Sequence, residues 1–196
     1  MGRVIHCYSS SSALAPTDTL VRATQDLSVR PAALHDVDVV LDLLAEAAAW
    51  TAEIGHGNWP APFPRGPVAA NAEAGELYLA SRAGEIVGTL ALQWRDPYFW
   101  GEAGEDGRAG YVHRVAVRRR CAGVGIGAQL LAWADDEIRA RGGVVLRLDV
   151  VSHNAPLRRY YENVGFAHVR DVAGEWTSRD GTKRAWQTSL YERPCP

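Results

Sequence analysis

Two hydrophobic periods alternate along this chain, and glycine or proline marks most switches between them. Residues 27–31 alternate apolar and polar and predict a first strand. Val37, Val40, Leu41, Leu44 and Ala48 then recur at helical spacing, so a helix should run to about residue 50 with Asp36 as its cap. Residues 55–67 read Gly-His-Gly-Asn-Trp-Pro-Ala-Pro-Phe-Pro-Arg-Gly-Pro and break regular structure. A short helix is expected over 68–74. Residues 77–81 and 86–94 are apolar runs flanking Ala83-Gly84, a hairpin pattern. Residues 95–109 are aromatic and acidic and predict a loop.

Residues 110–117 predict the next strand, and Gly123, Gly125 and Gly127 follow it. Ile126, Leu130, Ala134 and Ile138 lie four apart with Leu131 beside them, an amphipathic helix ended by Gly142-Gly143. Residues 144–151 predict another strand. Asn154 caps a helix with Pro156 in its first turn; Leu157, Tyr160, Tyr161 and Val164 share a face, and Gly165 ends it. Residues 168–172 and 184–192 predict two closing strands around Asp180-Gly181. Strand, glycine loop, helix and strand imply a right-handed crossover with parallel pairing, whereas the hairpins imply antiparallel pairing. The fold class is therefore α/β: a mixed, mostly antiparallel central sheet with helices on both faces.

Composition narrows the setting. At 196 residues the chain can bury one real core, and no linker or repeat divides it. Residues 1–26 follow neither period and carry a serine run at 9–12, which predicts a surface arm or partly disordered extension before a domain at 27–196. A net charge of −2 offers no basic field for nucleic acid. No apolar run reaches membrane-spanning length, and the first residues lack the apolar core of a signal peptide. The three cysteines, Cys7, Cys121 and Cys195, are an odd number without metal-ligand spacing, which fits a reducing cytoplasm. The expectation is a cytoplasmic protein without metal, nucleic acid or membrane as partner. A homodimer is compatible with these features.

The richest chemistry lies at the glycine loop. Glycines let a backbone approach a ligand closely, and a helix start offers unpaired N–H groups at the positive end of a dipole. Together they predict a phosphate seat. A Walker loop fails, because Ala128-Gln129 stands where Lys-Ser/Thr is required. A dinucleotide fingerprint needs Gly-x-Gly-x-x-Gly, but the spacing here is Gly-x-Gly-x-Gly, with no convincing ribose acid downstream. A coenzyme A pyrophosphate seat remains, against a tight turn that holds no ligand.

Residues 115–131, Val-Ala-Val-Arg-Arg-Arg-Cys-Ala-Gly-Val-Gly-Ile-Gly-Ala-Gln-Leu-Leu, precede Asn154-Ala-Pro-Leu-Arg-Arg-Tyr-Tyr-Glu-Asn-Val-Gly-Phe166. These co-spaced segments resemble the GNAT superfamily of acyl-CoA-dependent N-acetyltransferases, and the resemblance covers residues 27–192. It implies acetyl-CoA as the cofactor and a small-molecule or peptide amine as the acceptor. It also implies direct transfer in a ternary complex. The family's loop usually reads Arg/Gln-x-x-Gly-x-Gly/Ala; here Ala122 takes the basic or amide position. Pyrophosphate would then be held by backbone N–H groups of Gly123, Val124, Gly125, Ile126, Gly127 and Ala128, with charge from Arg118, Arg119 or Arg120 upstream.

The resemblance further implies that Val115, Ala116 and Val117 present backbone to the pantetheine arm, with Asn154 beside it. Tyr161 falls at the general-acid position: a tyrosine can protonate a departing thiolate of similar basicity. Under period two, Tyr111, His113, Val115 and Val117 share a strand face. His113 stands where related enzymes often carry a carboxylate base, and histidine can titrate near neutrality. Glu102, Asp149 and His56 remain alternative bases, with an Arg147 salt bridge the simpler role for Asp149. Trp59, Phe63, Trp100 and Glu102 are the expected acceptor contacts, with Trp50, Tyr98 and Phe99 beside them. Two rivals persist: a longer acyl-CoA or carrier-protein donor, and a CoA-binding module without turnover.

Overall fold

The computed structural model describes residues 27–57, 59–177 and 183–195. The expected extension at 1–26, Cys7 and the Asp180-Gly181 turn lie outside the described residues. In chain order the elements are β1 (Ser28–Pro31), α1 (Val37–Glu53), α2 (Arg65–Glu73), β2 (Leu77–Arg82) and β3 (Glu85–Gln93). There follow α3 (Pro97–Trp100), β4 (Ala109–Val117), α4 (Ile126–Ala140), β5 (Val145–Val151), α5 (Ala155–Asn163), β6 (Ala167–Thr177) and β7 (Lys183–Pro194). Among the described residues no helix is long and apolar enough to cross a membrane.

The strands form one sheet in the order β1-β2-β3-β4-β5-β7-β6. Only β4 and β5 pair in parallel, because α4 carries the chain back across the sheet between them. The apolar stripe of α4, including Ile126, Leu130, Ala134 and Ile138, packs on Leu90, Leu92, Val112, Leu146 and Leu148. On the opposite face Val37, Val40, Leu44 and Val68 from α1 and α2 meet Leu77, Leu79, Ala91 and Ala116. Leu130 is fully buried, so truncation to alanine would cost about 2–5 kcal/mol.

Three local expectations are corrected. Asp36 does not cap α1 with its side chain. Its carboxylate instead takes two hydrogen bonds from Arg30, at 2.7 and 2.9 Å, and one from the Ala33 N–H at 2.9 Å. It therefore pins β1 to the turn before α1. The aromatic–acidic segment is not plain loop: α3 runs into a 3-10 turn at Gly101–Glu105.

The third correction concerns β4. Its pairing with β3 steps from Ala91↔His113 to Thr89↔Ala116, so β4 holds one extra residue. Arg114 adopts φ +53°, unusual for a residue with a side chain. This is a β-bulge. It breaks the alternation that would place Tyr111, His113, Val115 and Val117 on one face. Val112, Val115 and Val117 pack toward α4, while Ala116 faces α1 and α2. The bulge also ends the parallel ladder: the last β4–β5 pair is Val112↔Leu148. Beyond it the two strands part.

Candidate active site

A cavity of about 540 Å³ opens where β4 and β5 separate. Residues His113–Val117 form one wall, Asp149–Val151 of β5 another, and Asn154, Leu157 and Tyr161 of α5 close a third side. Trp50, Thr51 and Trp59 enter from α1 and the loop after it, and Asp96, Tyr98 and Phe99 from the start of α3. Residues 113–117 have no β5 partner, so their backbone edge is free to meet a ligand.

Next to Ala122, which lines this cavity, the glycine loop turns into α4. Gly123 and Gly125 take φ +79° and +81°, a region costly for side-chain-bearing residues. The backbone there turns back on itself, and α4 starts without a side-chain cap. Nearby pairing resumes with Gln129 donating to Gly125 and stops with Ala122 donating to Arg119. Among the described residues, the N–H groups of 123–128 have no hydrogen-bond acceptor. Six such donors at a helix start fit a pyrophosphate. Gly127 is small for another reason: a Cβ there would lie 2.6 Å from the Tyr160 hydroxyl.

Two of the three upstream arginines are tied to carboxylates. Arg118 donates to Glu46 at 2.9 Å, and Arg120 to Glu85 at 2.7 Å. Arg119 stacks 3.9 Å over the Trp50 ring. Arg119 has no carboxylate partner among the described residues and lines the cavity, so it keeps the charge that the other two have paired.

His113 sits between two carboxylates. Its Nδ1 lies 3.3 Å from Asp149 Oδ1 and its Nε2 3.6 Å from Asp96 Oδ2. These are ion-pair distances, not formed hydrogen bonds: Nε2 and Asp96 Oδ2 are both buried without a hydrogen-bond partner. Both are costly to leave unpaired. The other Asp96 oxygen caps α3 by accepting from the Phe99 N–H. Burial pushes the Asp96 carboxyl upward, against the pull of His113. Asp149 turns to His113, not to Arg147 as expected. Arg147 is held by Glu192 at 3.0 Å and by the Ala103 carbonyl at 2.7 Å.

Tyr161 is buried against Phe166 and Tyr160 on the cavity side of α5. Its hydroxyl has no hydrogen-bond partner among the described residues. Burial raises its pKa well above the ordinary phenol value, so it stays protonated but is a weaker acid than a free phenol. Asn154 Oδ1 accepts from the Leu157 N–H at 3.1 Å, so it does cap α5 while also lining the cavity.

The expected acceptor contacts divide. Trp59 lines the cavity, with Phe63 set edge-on to it at 5.7 Å. Trp100 does not: it is 3% exposed, packed with Tyr111 and Leu190, and covered by Arg147. Glu102 is exposed in the 3-10 turn, away from the cavity lining. His56 is also outside the lining. Asp96 and Arg114 are the site residues the periodicity missed. An Asp before Pro97 is a helix-cap pattern that could have pointed to Asp96; nothing in the strand pattern announces the bulge at Arg114.

Residues 44–166 match the model of the family described as "Acetyltransferase (GNAT) family". The chain is 28% identical over 153 residues to the uncharacterized N-acetyltransferase YesJ of Bacillus subtilis (strain 168), covering 74% of this chain and 84% of that one. A GNAT-family acetyltransferase structure from Listeria monocytogenes 4b F2365 superimposes with a TM-score of 0.68 at 24% identity, covering 86% of this chain and 94% of that one. The structure of yncA from Salmonella typhimurium, described as a putative acetyltransferase with its cofactor acetyl-CoA, gives 0.59 at 20% identity, covering 87% and 94%. These structural likenesses establish the fold.

Proposed function

Because the chain belongs to the GNAT acetyltransferase family, we propose that its domain at 27–196 transfers an acetyl group from acetyl-CoA to a primary amine of a small molecule or peptide, by direct attack in a ternary complex. The observation that carries this reading is the cavity at the β4–β5 split, which brings His113 and Tyr161 together beside the glycine loop.

Acetyl-CoA, when bound, supplies the acetyl group as a thioester. The N–H groups of 123–128 would hold its pyrophosphate. The free edge of Val115 and Val117 and the Asn154 amide nitrogen would hold the pantetheine arm. His113, fixed between Asp96 and Asp149, takes a proton from the amine nitrogen as the C–N bond forms. The Tyr161 hydroxyl gives a proton to the departing sulfur as the C–S bond breaks. Because the amine attacks the thioester carbon itself, no acyl-enzyme forms; His113 then releases its proton to solvent and Tyr161 regains one, which restores both groups.

A carrier-protein donor calls for a basic docking face, but Arg118 and Arg120 are engaged with Glu46 and Glu85. A longer acyl-CoA stays a rival on cavity size, and a module without turnover on Ala122. Free-thiol release from acetyl-CoA with a panel of primary amines tests the reading. Release above hydrolysis with at least one amine is the expected result; tight acetyl-CoA binding without release from any amine would refute it.

A further inference from the structure

Arg114 and Ala83 are the non-glycine residues at positive φ among those described, and Ala83 lies in the β2–β3 turn whereas Arg114 lies within a strand. It holds a left-handed φ of +53° without being glycine, and strain of this kind is the sort that functional sites retain. The bulge leaves Arg114 beside His113 on the side of the sheet facing α1 and α2. There it donates to the Asn71 side-chain oxygen of α2 and lies 5.9 Å from the Phe63 ring centroid. It lines the same cavity as His113.

Arg114 has no carboxylate partner among the described residues. Burial alone lowers its pKa, with no acid acting to raise it. Arg118, Arg120 and Arg147 each face a carboxylate; Arg119, stacked on Trp50, faces none either, but it is exposed where Arg114 is part-buried. A part-buried guanidinium with only a neutral acceptor is an incomplete site, because a guanidinium fork matches a carboxylate in two parallel hydrogen bonds.

The rest of the cavity defines the molecule that completes it. Asp96 and Asp149 beside His113 favour an ammonium group arriving at that end. Trp50, Trp59, Tyr98 and Phe99 offer an apolar wall. Because His113 and Arg114 are consecutive, the positive and negative ends of the guest must lie close together. We propose that the acceptor is an α-amino acid with an apolar or aromatic side chain, whose carboxylate is bound by Arg114 while its amine faces His113. The inference rests on the acetyltransferase reading only in placing the amine end at His113.

Matched pairs test it: phenylalanine with phenethylamine, tryptophan with tryptamine, and leucine with 3-methylbutylamine. Calorimetry on the CoA-loaded protein should give at least one amino acid a roughly 10–100-fold tighter Kd than its decarboxylated partner, the worth of a charge-assisted hydrogen-bonded pair. Arg114→Met should bring that ratio within about threefold, with Arg114→Lys in between. Equal affinity within all three pairs, or no binding by any amino acid, overturns the proposal on the parent protein alone, whether or not the variants fold. Thiol release is read separately. Arg114-dependent binding with no release from any amine would refute the acetyl-transfer reading and leave Arg114 as a carboxylate-binding residue; release without carboxylate preference would do the reverse.

Discussion

Replacing Tyr161 by phenylalanine separates chemistry from packing at this site. Tyr161 lines the cavity, and its hydroxyl has no hydrogen-bond partner among the described residues, so its removal should change stability by less than about 1 kcal/mol. The ring, and its contacts with Phe166 and Tyr160, remain. General acids contribute roughly 10²–10⁴ in rate. Here the low end applies. A thiolate is a good leaving group without much help, and burial has made this phenol a weaker acid than usual. A kcat loss of about 100-fold follows, equivalent to about 2.7 kcal/mol at 1.36 kcal/mol per decade. Affinity for acetyl-CoA should stay within about threefold, because the hydroxyl acts mainly in the transition state. Thiol release under saturating acetyl-CoA gives kcat, calorimetry gives the affinity, and thermal unfolding checks the fold. The same raised pKa predicts no loss of rate from Tyr161 ionisation below about pH 10. Equal kcat for mutant and parent would remove Tyr161 from the mechanism; parallel losses of kcat and affinity would make it a packing residue.

Gly125→Val places a β-branched side chain at φ +81° and should weaken acetyl-CoA binding at least tenfold by calorimetry, with unchanged affinity sinking the backbone seat. His113→Gln should lower kcat by roughly 10²–10³ while leaving acetyl-CoA affinity intact; full activity would pass the base role to Asp96 or Asp149. Arg30 and the Ala33 N–H hold the Asp36 carboxyl well below the usual carboxylate range. Its stabilisation is therefore complete above the ordinary pKa near 4 and fades as pH falls below it. Asp36→Asn should cost about 1–2 kcal/mol at pH 7, discounted because Arg30 is half exposed. Urea titrations should find the gap between parent and variant narrower at pH 3, and a constant gap would refute the linkage.

The elements that depend on local pattern were legible in the sequence. The stripe of α4, the glycine stop at its end and the Asn154 cap of α5 all stand where the periodicity placed them. So does the mixed sheet, because a crossover helix between strands has few alternatives. Side-chain destinations were less readable. Trp100 was expected at the acceptor and is core, since an aromatic before a turn can pack inward onto Tyr111 as readily as outward. Asp149 and His113 lie on different strands, and their meeting depends on a register that no single segment encodes. Arg114 was hidden outright: a bulge needs no special residue type, and the run Val-His-Arg-Val-Ala-Val reads as ordinary strand.

That extra residue is also separable from the core. Strike Arg114 out, and His113, Val115, Ala116 and Val117 alternate as a regular strand does, each keeping the side it already occupies. The hydrophobic layers above and below would not register the deletion. What would change is the seam between β4 and β5, whose ladder stops at Val112↔Leu148 and could then continue. A single codon thus separates an ordinary closed sheet from one with a slot in it.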